Sequence, residues 1–327
     1  MATLDSALHR ISIALCTCNG ANFLAAQLDS LVSQTRLPHE LVVCDDASED
    51  GTFEILTTFA IRAPFPVRLY RNPQRLGIGA NFEQAIRLCT GNVIALCDQD
   101  DVWLPNKLAM FAELFAMGME WVCCDAEVCD ADLHSFGYTL WQRVNFDHSE
   151  RKAAREGRFI DVLIKHFVVA GATLAFKAQL RDRLLPIPHG WHYDAWLAAV
   201  LAATGTGKVG LVKIPLQLYR QHGGNALGAI RRSLLRQARA AVALDRQSYY
   251  AEEIARWDAL SARLAGLGAL ETVRRQVDAK IAHLRRRAAL PVNRLARLPV
   301  VIAEILNGGY ARYTRNLGSI AFDLLVR

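Results

Sequence analysis

The strongest constraint on what this chain can fold into is a rhythm in its first third, where short apolar runs alternate with amphipathic stretches. The apolar runs are Ile11 to Cys16, Leu41 to Cys44, Val67 to Tyr70 and Val93 to Cys97. Between them lie helical patterns through Leu24, Leu28 and Leu31, from Phe53 to Ile61, and from Asn81 to Leu88. Turn signals fall where the connections are needed, at Asn19-Gly20, Asp50-Gly51, Gly77 with Gly79, and Thr90-Gly91-Asn92. Repeated βα units of this kind predict an α/β fold, a doubly wound and mostly parallel sheet flanked by helices. From residue 121 the rhythm loosens: a strand at Trp121 to Cys124, an irregular polar stretch to Glu156, a segment Val168 to Phe176 around Gly171, a helix over Asp194 to Ala203 and a β segment over Val209 to Leu218. Beyond that the pattern is nearly all helical. The expected division is an α/β domain over residues 1–228 and a basic helical region over 229–327.

With 327 residues, 52% of them hydrophobic, the chain can fill a core without covalent staples. Its eight cysteines all precede Asp130, several inside apolar runs, and no charged start with an apolar h-region precedes them. They read as reduced thiols of a cytoplasmic protein. Cys16-x-Cys18 and the adjacent Cys123-Cys124 lack the two-residue gap of a zinc knuckle. The net charge of +6 hides an asymmetry: residues 231–327 carry 18 Lys and Arg against 8 Asp and Glu, leaving the first 230 at 20 against 24. A basic tail suits nucleic acid, an anionic membrane surface or a solvated helical face. The aromatic interleaving of an RNA-binding surface is missing, so nucleic acid is not expected. No run approaches the roughly 18 apolar residues that span a bilayer; the most apolar stretch of the tail, Leu298 to Leu306, is broken by Pro299 and Glu304.

The chemistry concentrates at strand ends. The run Val93 to Cys97 leads directly into Asp98, Asp100 and Asp101 and then a helix start near Pro105. In open α/β sheets ligands bind beyond the carboxyl ends of strands, and three carboxylates in four residues repel one another unless a hard cation sits among them. A helix N-cap cluster accounts for the same spacing. The pair Asp45-Asp46 closes the second strand, where a carboxylate can accept the imide N–H of uracil or thymine; a plain turn explains it equally well. Arg220 and His222 end a β segment ahead of Gly223-Gly224 and offer positive charge to an anionic ligand. The first strand is followed by Thr17-Cys-Asn-Gly20 instead of a G-x-G-x-x-G loop, which sets a dinucleotide-dependent dehydrogenase aside.

In order along the chain, Ile13-Ala-Leu-Cys-Thr-Cys-Asn19-Gly20, Gln27 to Thr35, Val43-Cys-Asp-Asp-Ala-Ser-Glu-Asp-Gly-Thr52, Asn81-Phe82, Asp98-Gln-Asp-Asp-Val-Trp103, Gly171-Ala-Thr173, Asp194-Ala-Trp196 and Tyr219-Arg-Gln-His222 cover residues 10–225. This ordered set resembles the family 2 glycosyltransferases of GT-A fold, especially their bacterial rhamnosyltransferase-like members. The resemblance implies that residues 1–228 form the nucleotide-sugar-binding and catalytic domain. It implies donor-nucleotide contacts at Thr17, Asn19, Asp45, Asp46 and Asn81, with Asp98 touching the ribose or the metal and Arg220 reaching the phosphates. It further implies that Asp100, with Asp98 and His222, binds a Mg²⁺ or Mn²⁺ ion bridging the donor's two phosphates. Asp194 falls where the family carries its catalytic base, and as a residue opening an apolar helix it also reads as an N-cap. Cys18 departs from the pattern, since relatives carry an aromatic residue there that packs on the base.

What the resemblance implies is an inverting transfer of a sugar, L-rhamnose being the one its nearest pattern points to, from a dTDP- or UDP-linked donor. The acceptor would be a saccharide or lipid-linked saccharide in bacterial surface polysaccharide assembly, such as O-antigen. A UDP-hexose or UDP-N-acetylhexosamine donor is served by the same motifs, and a nucleotide-sugar-binding scaffold that has lost catalysis is the competing reading. The basic tail would then bring the enzyme to an anionic membrane as a peripheral protein at its inner face, or pack on the catalytic domain with a solvated Arg face.

Overall fold

The computed structural model of the protein describes residues 9–205, 207–223, 245–315 and 317–326. The start of the basic tail, with its adjacent Arg231 and Arg232, and the expected boundary at 228 lie outside them. Strands β1 (Ile11–Thr17), β2 (Glu40–Asp45), β3 (Val67–Arg71) and β4 (Val93–Asp98) follow the apolar runs. Helices α1 (Ala21–Val32), α2 (Thr52–Arg62) and α3 (Ile78–Leu88) fill the intervals. Next come β5 (Val102–Trp103), α4 (Lys107–Ala116), β6 (Trp121–Cys129), β7 (Ser135–Thr139), β8 (Leu174–Lys177), α5 (Tyr193–Thr204) and β9 (Val209–Arg220). The stretch read as irregular contains β7 and several short helical turns, too brief to leave a periodic signal.

The nine strands run in the order β3-β2-β1-β4-β8-β6-β9-β5, with β7 on a further stretch of β6. The first four are parallel, as the βα rhythm requires. Past β4 the sheet is mixed, because β8 runs antiparallel to both β4 and β6 while β6 and β9 are parallel. Alternation along the strands divides the core into two layers. Ala14, Val42, Ile94 and Leu96 pack with Phe82, Ile86 and Trp196, whereas Ile13, Leu15, Leu41 and Val43 pack with Leu24, Leu28, Phe59 and Phe111. Register pairs Thr17 with Asp45 and Cys16 with Asp98, so three strand ends meet at one edge.

The C-terminal helices are α6 (Arg246–Gly266), α7 (Glu271–Ala288), α8 (Arg294–Leu306) and α9 (Leu317–Leu325). Trp257, Leu260 and Leu264 of α6 and Val277, Ile281 and Leu284 of α7 belong to the same buried cluster as Trp196 and Phe82. Trp191 fixes the junction by donating its indole N–H to the Arg256 carbonyl at 2.8 Å. Among the described residues no helix is long and apolar enough to cross a membrane.

Candidate active site

A cavity of about 390 Å³ opens where β1, β2 and β4 end. On the β1 side it is lined by Thr17 and Cys18, and on the β2 side by Asp46. Asp46 is buried and fully engaged: Oδ1 accepts from Asn72 Nδ2 at 2.9 Å and the Leu76 amide at 2.7 Å, and Oδ2 accepts from the Gly77 amide at 2.9 Å. Gly77 needs its lack of a side chain, since its φ is +85°. Asn81 also lines the cavity; it accepts from Asn72 at 2.9 Å and donates to the Cys44 carbonyl at 2.8 Å. These bonds fix the loop that carries Arg75 to the cavity wall.

Two of the expected nucleotide contacts sit elsewhere. Asp45 is fully buried and outside the cavity lining; it accepts from Thr17 Oγ1 at 2.8 Å, the Ser48 amide at 3.1 Å and Ser48 Oγ at 2.5 Å. Asn19, at φ +50°, ties the β1 loop to the same turn, its Oδ1 accepting from the Glu49 amide and its own backbone N–H donating to Ser48 Oγ, both at 2.9 Å. Both residues tie the β1 end to the turn after β2 through these hydrogen bonds.

The acidic segment after β4 is pulled in three directions. Asp98 lines the cavity and accepts from the Tyr193 hydroxyl at 2.9 Å. Burial, reinforced by the Asp100 charge, pushes its pKa up to about 7. Asp100 lines the cavity and meets His222 Nε2 at 2.8 Å. Asp101 turns inward, 1% exposed, to accept from Gln217 Nε2 at 2.8 Å and the Arg220 amide at 3.1 Å. Lys107 is buried beneath, donating to the Ala172 carbonyl at 2.6 Å and to Gln217, with its ammonium 3.8 Å from the Trp103 ring centre. Burial lowers the Lys107 pKa and raises that of Asp101, and the two are linked through Gln217, whose Oε1 accepts from Lys107 while its Nε2 donates to Asp101. Arg220, expected at the phosphates, is 5% exposed and directs its guanidinium to the Asp100 carbonyl at 2.7 Å, to the Ala131 carbonyl, and over Phe23 at 4.8 Å.

Of the expected metal trio, Asp100 and His222 are in contact, while Asp98 is drawn to Tyr193. Among the described residues, the one group of three ligands whose donor atoms all lie within 4.8 Å is Asp130, Asp132 and His134, in the β6–β7 turn. There Asp130 serves the turn itself, accepting from the amides of Asp132 at 3.0 Å and His134 at 2.8 Å.

Asp194 lines the cavity from the first turn of α5. The N-cap of that helix is His192, so Asp194 lies past the capping position. Its Oδ1 accepts from the Ala195 amide at 2.7 Å and its Oδ2 from the Gly171 amide at 3.2 Å. Burial raises its pKa. Gly171 makes room for Tyr193: a Cβ there would stand 1.9 Å from the Tyr193 hydroxyl. That ring stacks on Phe82 at 3.9 Å, which aims its hydroxyl at Asp98.

Residue types alone did not reveal Tyr193, Gln99 or Arg75. Gln99 faces the β1 loop, accepting from the Cys18 amide at 2.8 Å and donating to the Cys18 carbonyl at 3.1 Å. This strand-like pair joins the β1 side of the cavity to the acidic side.

A nine-stranded mixed sheet with a cleft at its parallel strand ends and an acidic loop facing a carboxylate-bearing helix is the GT-A glycosyltransferase architecture. Solved coordinates of Staphylococcus aureus TarS (residues 1–349, in complex with UDP-GlcNAc) superpose with a TM-score of 0.59, covering 97% of this chain and 84% of that one at 14% identity. The family description "Glycosyl transferase family 2" matches residues 12–182. The chain belongs to that family. It is 25% identical over 228 residues to an uncharacterized glycosyltransferase of Nostoc sp., covering 66% of each chain. It is 34% identical over 103 residues, 31% of its own length, to the Escherichia coli UDP-Glc:alpha-D-GlcNAc-diphosphoundecaprenol beta-1,3-glucosyltransferase WfgD. The matches span 66% and 39% of the lengths of these two relatives.

Proposed function

We propose that the protein is an inverting transferase that moves a hexose or deoxyhexose from a nucleoside-diphosphate sugar to a saccharide carried at the cytoplasmic face of a membrane. The observation that carries this reading is that Asp194 lines the same cavity as Asp98 and Asp100. In the reaction the acceptor oxygen bonds to the anomeric carbon from the face opposite the leaving group, and its proton passes to the Asp194 carboxylate. The bond between that carbon and the diphosphate oxygen breaks, its electron pair departing with the nucleoside diphosphate. Burial makes Asp194 a better base than an exposed aspartate, and its two backbone N–H bonds fix the carboxylate for the transfer.

Asp100 and His222, in contact at 2.8 Å, offer the oxygen and imidazole donors that suit Mg²⁺ or Mn²⁺. A bound ion would neutralise charge developing on the leaving diphosphate. Thr17, Asp46, Asn81 and Asp98 are the proposed walls of the nucleoside pocket, with Cys18 and Arg75 toward the base. The uridine nucleotides in the names of WfgD and of the TarS complex support a UDP donor, and the motif resemblance supports dTDP-rhamnose. The diphosphoundecaprenol acceptor of WfgD supports a lipid-linked saccharide.

The test is a thermal-shift panel of dTDP-rhamnose, UDP-glucose, UDP-galactose and UDP-N-acetylglucosamine, each with Mn²⁺ or with chelator. The expected result is a rise in Tm with one nucleotide sugar that vanishes on chelation. A folded protein that responds to none of them contradicts the reading.

A further inference from the structure

The last long helices carry an unusual distribution of polarity. On α8 the face turned into the protein holds Arg297, Val301 and Glu304, which are 1%, 2% and 7% exposed. Arg297 donates to the carbonyls of Pro291 at 2.6 Å, Asp323 at 2.7 Å and Val326 at 2.6 Å. Glu304 accepts from Arg286 Nε at 2.8 Å and lies 2.5 Å from His283 Nδ1. The opposite face presents Leu295, Leu298, Ile302, Ile305 and Leu306 to the exterior, with Leu295 75% and Leu306 80% exposed. Val292, just before the helix, is 87% exposed. The helix is therefore polar toward the protein and aliphatic toward the outside, the reverse of a helix that packs its apolar stripe on a core. A contiguous apolar face of this kind marks an interaction surface.

Charge selects the occupant. Between residues 291 and 313 the exposed charged side chains are Arg294 and Arg312, and the sole acid, Glu304, is buried. Among the described residues elsewhere in the tail, Arg287 pairs with Asp323 at 2.6 Å, Arg285 with Asp258 at 3.0 Å and Arg286 with Glu304. A second copy meeting this face through a two-fold contact would bring like charges together with no exposed acid to match them. An anionic lipid surface offers both an apolar interior for the leucines and isoleucines and phosphates for the flanking arginines.

We propose that α8 is a membrane-docking helix that lies in the interface of an anionic bilayer with Leu295, Ile302 and Leu306 inserted. This rests on the reading of a membrane-borne acceptor for its purpose, and it relocates the contact from the basic charge of the tail as a whole to an aliphatic face bordered by Arg294 and Arg312.

The experiment is flotation of the full chain with phosphatidylcholine vesicles, with and without phosphatidylglycerol. The wild-type protein is expected to float with the anionic vesicles, and the triple substitution Leu295→Ser, Ile302→Ser, Leu306→Ser to lower partitioning by about tenfold or more. Arg294→Ala with Arg312→Ala should reduce binding to the anionic vesicles and weaken its salt dependence. All five side chains are exposed, so Tm and the donor-induced thermal shift should be unchanged; a lost donor shift in the wild type would indict the transferase reading and leave this one standing. Equal flotation of wild type and triple variant, or no flotation of the wild type, overturns the proposal. So does a wild-type dimer in solution that the triple substitution disperses without any vesicle binding, since a second copy would then cover the face.

Discussion

Gln99 is the residue on which the two halves of the cavity depend. Its amide pairs with both backbone groups of Cys18, so the loop after β1 is tied to the loop that carries Asp98 and Asp100. Gln99→Ala removes both bonds and leaves the Cys18 amide and carbonyl in a partly buried site. The expected effect is a loss of about 1–2 kcal/mol of stability and a rise in KM for the donor of about tenfold with a smaller change in kcat. Steady-state kinetics over a donor series checks the split; an unchanged KM would mean that the clamp does not govern donor binding. Tyr193 works by the same logic on the other side, held by the Phe82 ring and admitted by Gly171.

At the scale of elements, Glu40 binds three strands and a turn together. From the start of β2 it accepts from Ser12 Oγ on β1 at 2.7 Å, from Arg68 on β3 at 3.1 Å, and from the Thr90 amide ahead of β4 at 2.6 Å. Burial pushes its pKa up, but the bonds from Ser12, Thr90 and Arg68 outweigh burial and hold it at about 2. Since the folded value lies below that of the unfolded chain, the stabilisation is fully present above about pH 4.5 and is lost as pH falls toward 2. Glu40→Gln should cost about 1–3 kcal/mol at neutral pH and flatten the decline in Tm on acidification through that window. A variant as acid-sensitive as the wild type would contradict the assignment. The parallel strands β1 to β4 were legible because each is a local apolar run with turn residues at its ends. The direction of β8 was not, since the segment around Gly171 carries no local signal for which neighbour it joins. The inverted polarity of α8 was hidden for a related reason: its partners Asp323, His283 and Arg286 lie on other helices, and the sequence of α8 alone reads as an apolar helix with basic flanks.

For the molecule as a whole, the cavity combines side chains from distant parts of the chain, and this decided what could be read in advance. Asp98 and Asp100 were legible as acids at a strand end and Asp194 as an acid at a helix start, and each lines the cavity. The inward turn of Asp101 and Arg220 was not, because it depends on a bond between residues 119 apart in sequence. The described C-terminal helices and the α/β part share one hydrophobic cluster through Trp257 and Leu260, so these helices pack on the α/β part instead of standing apart. The central claim is that one cavity binds the donor and supplies the base, and the most direct measurement compares wild type with Asp194→Asn in parallel assays of donor binding and sugar transfer. Metal-dependent donor binding is expected within about twofold of wild type, with transfer lowered by about 100-fold or more. Full transfer by Asp194→Asn, with donor bound normally, would contradict it.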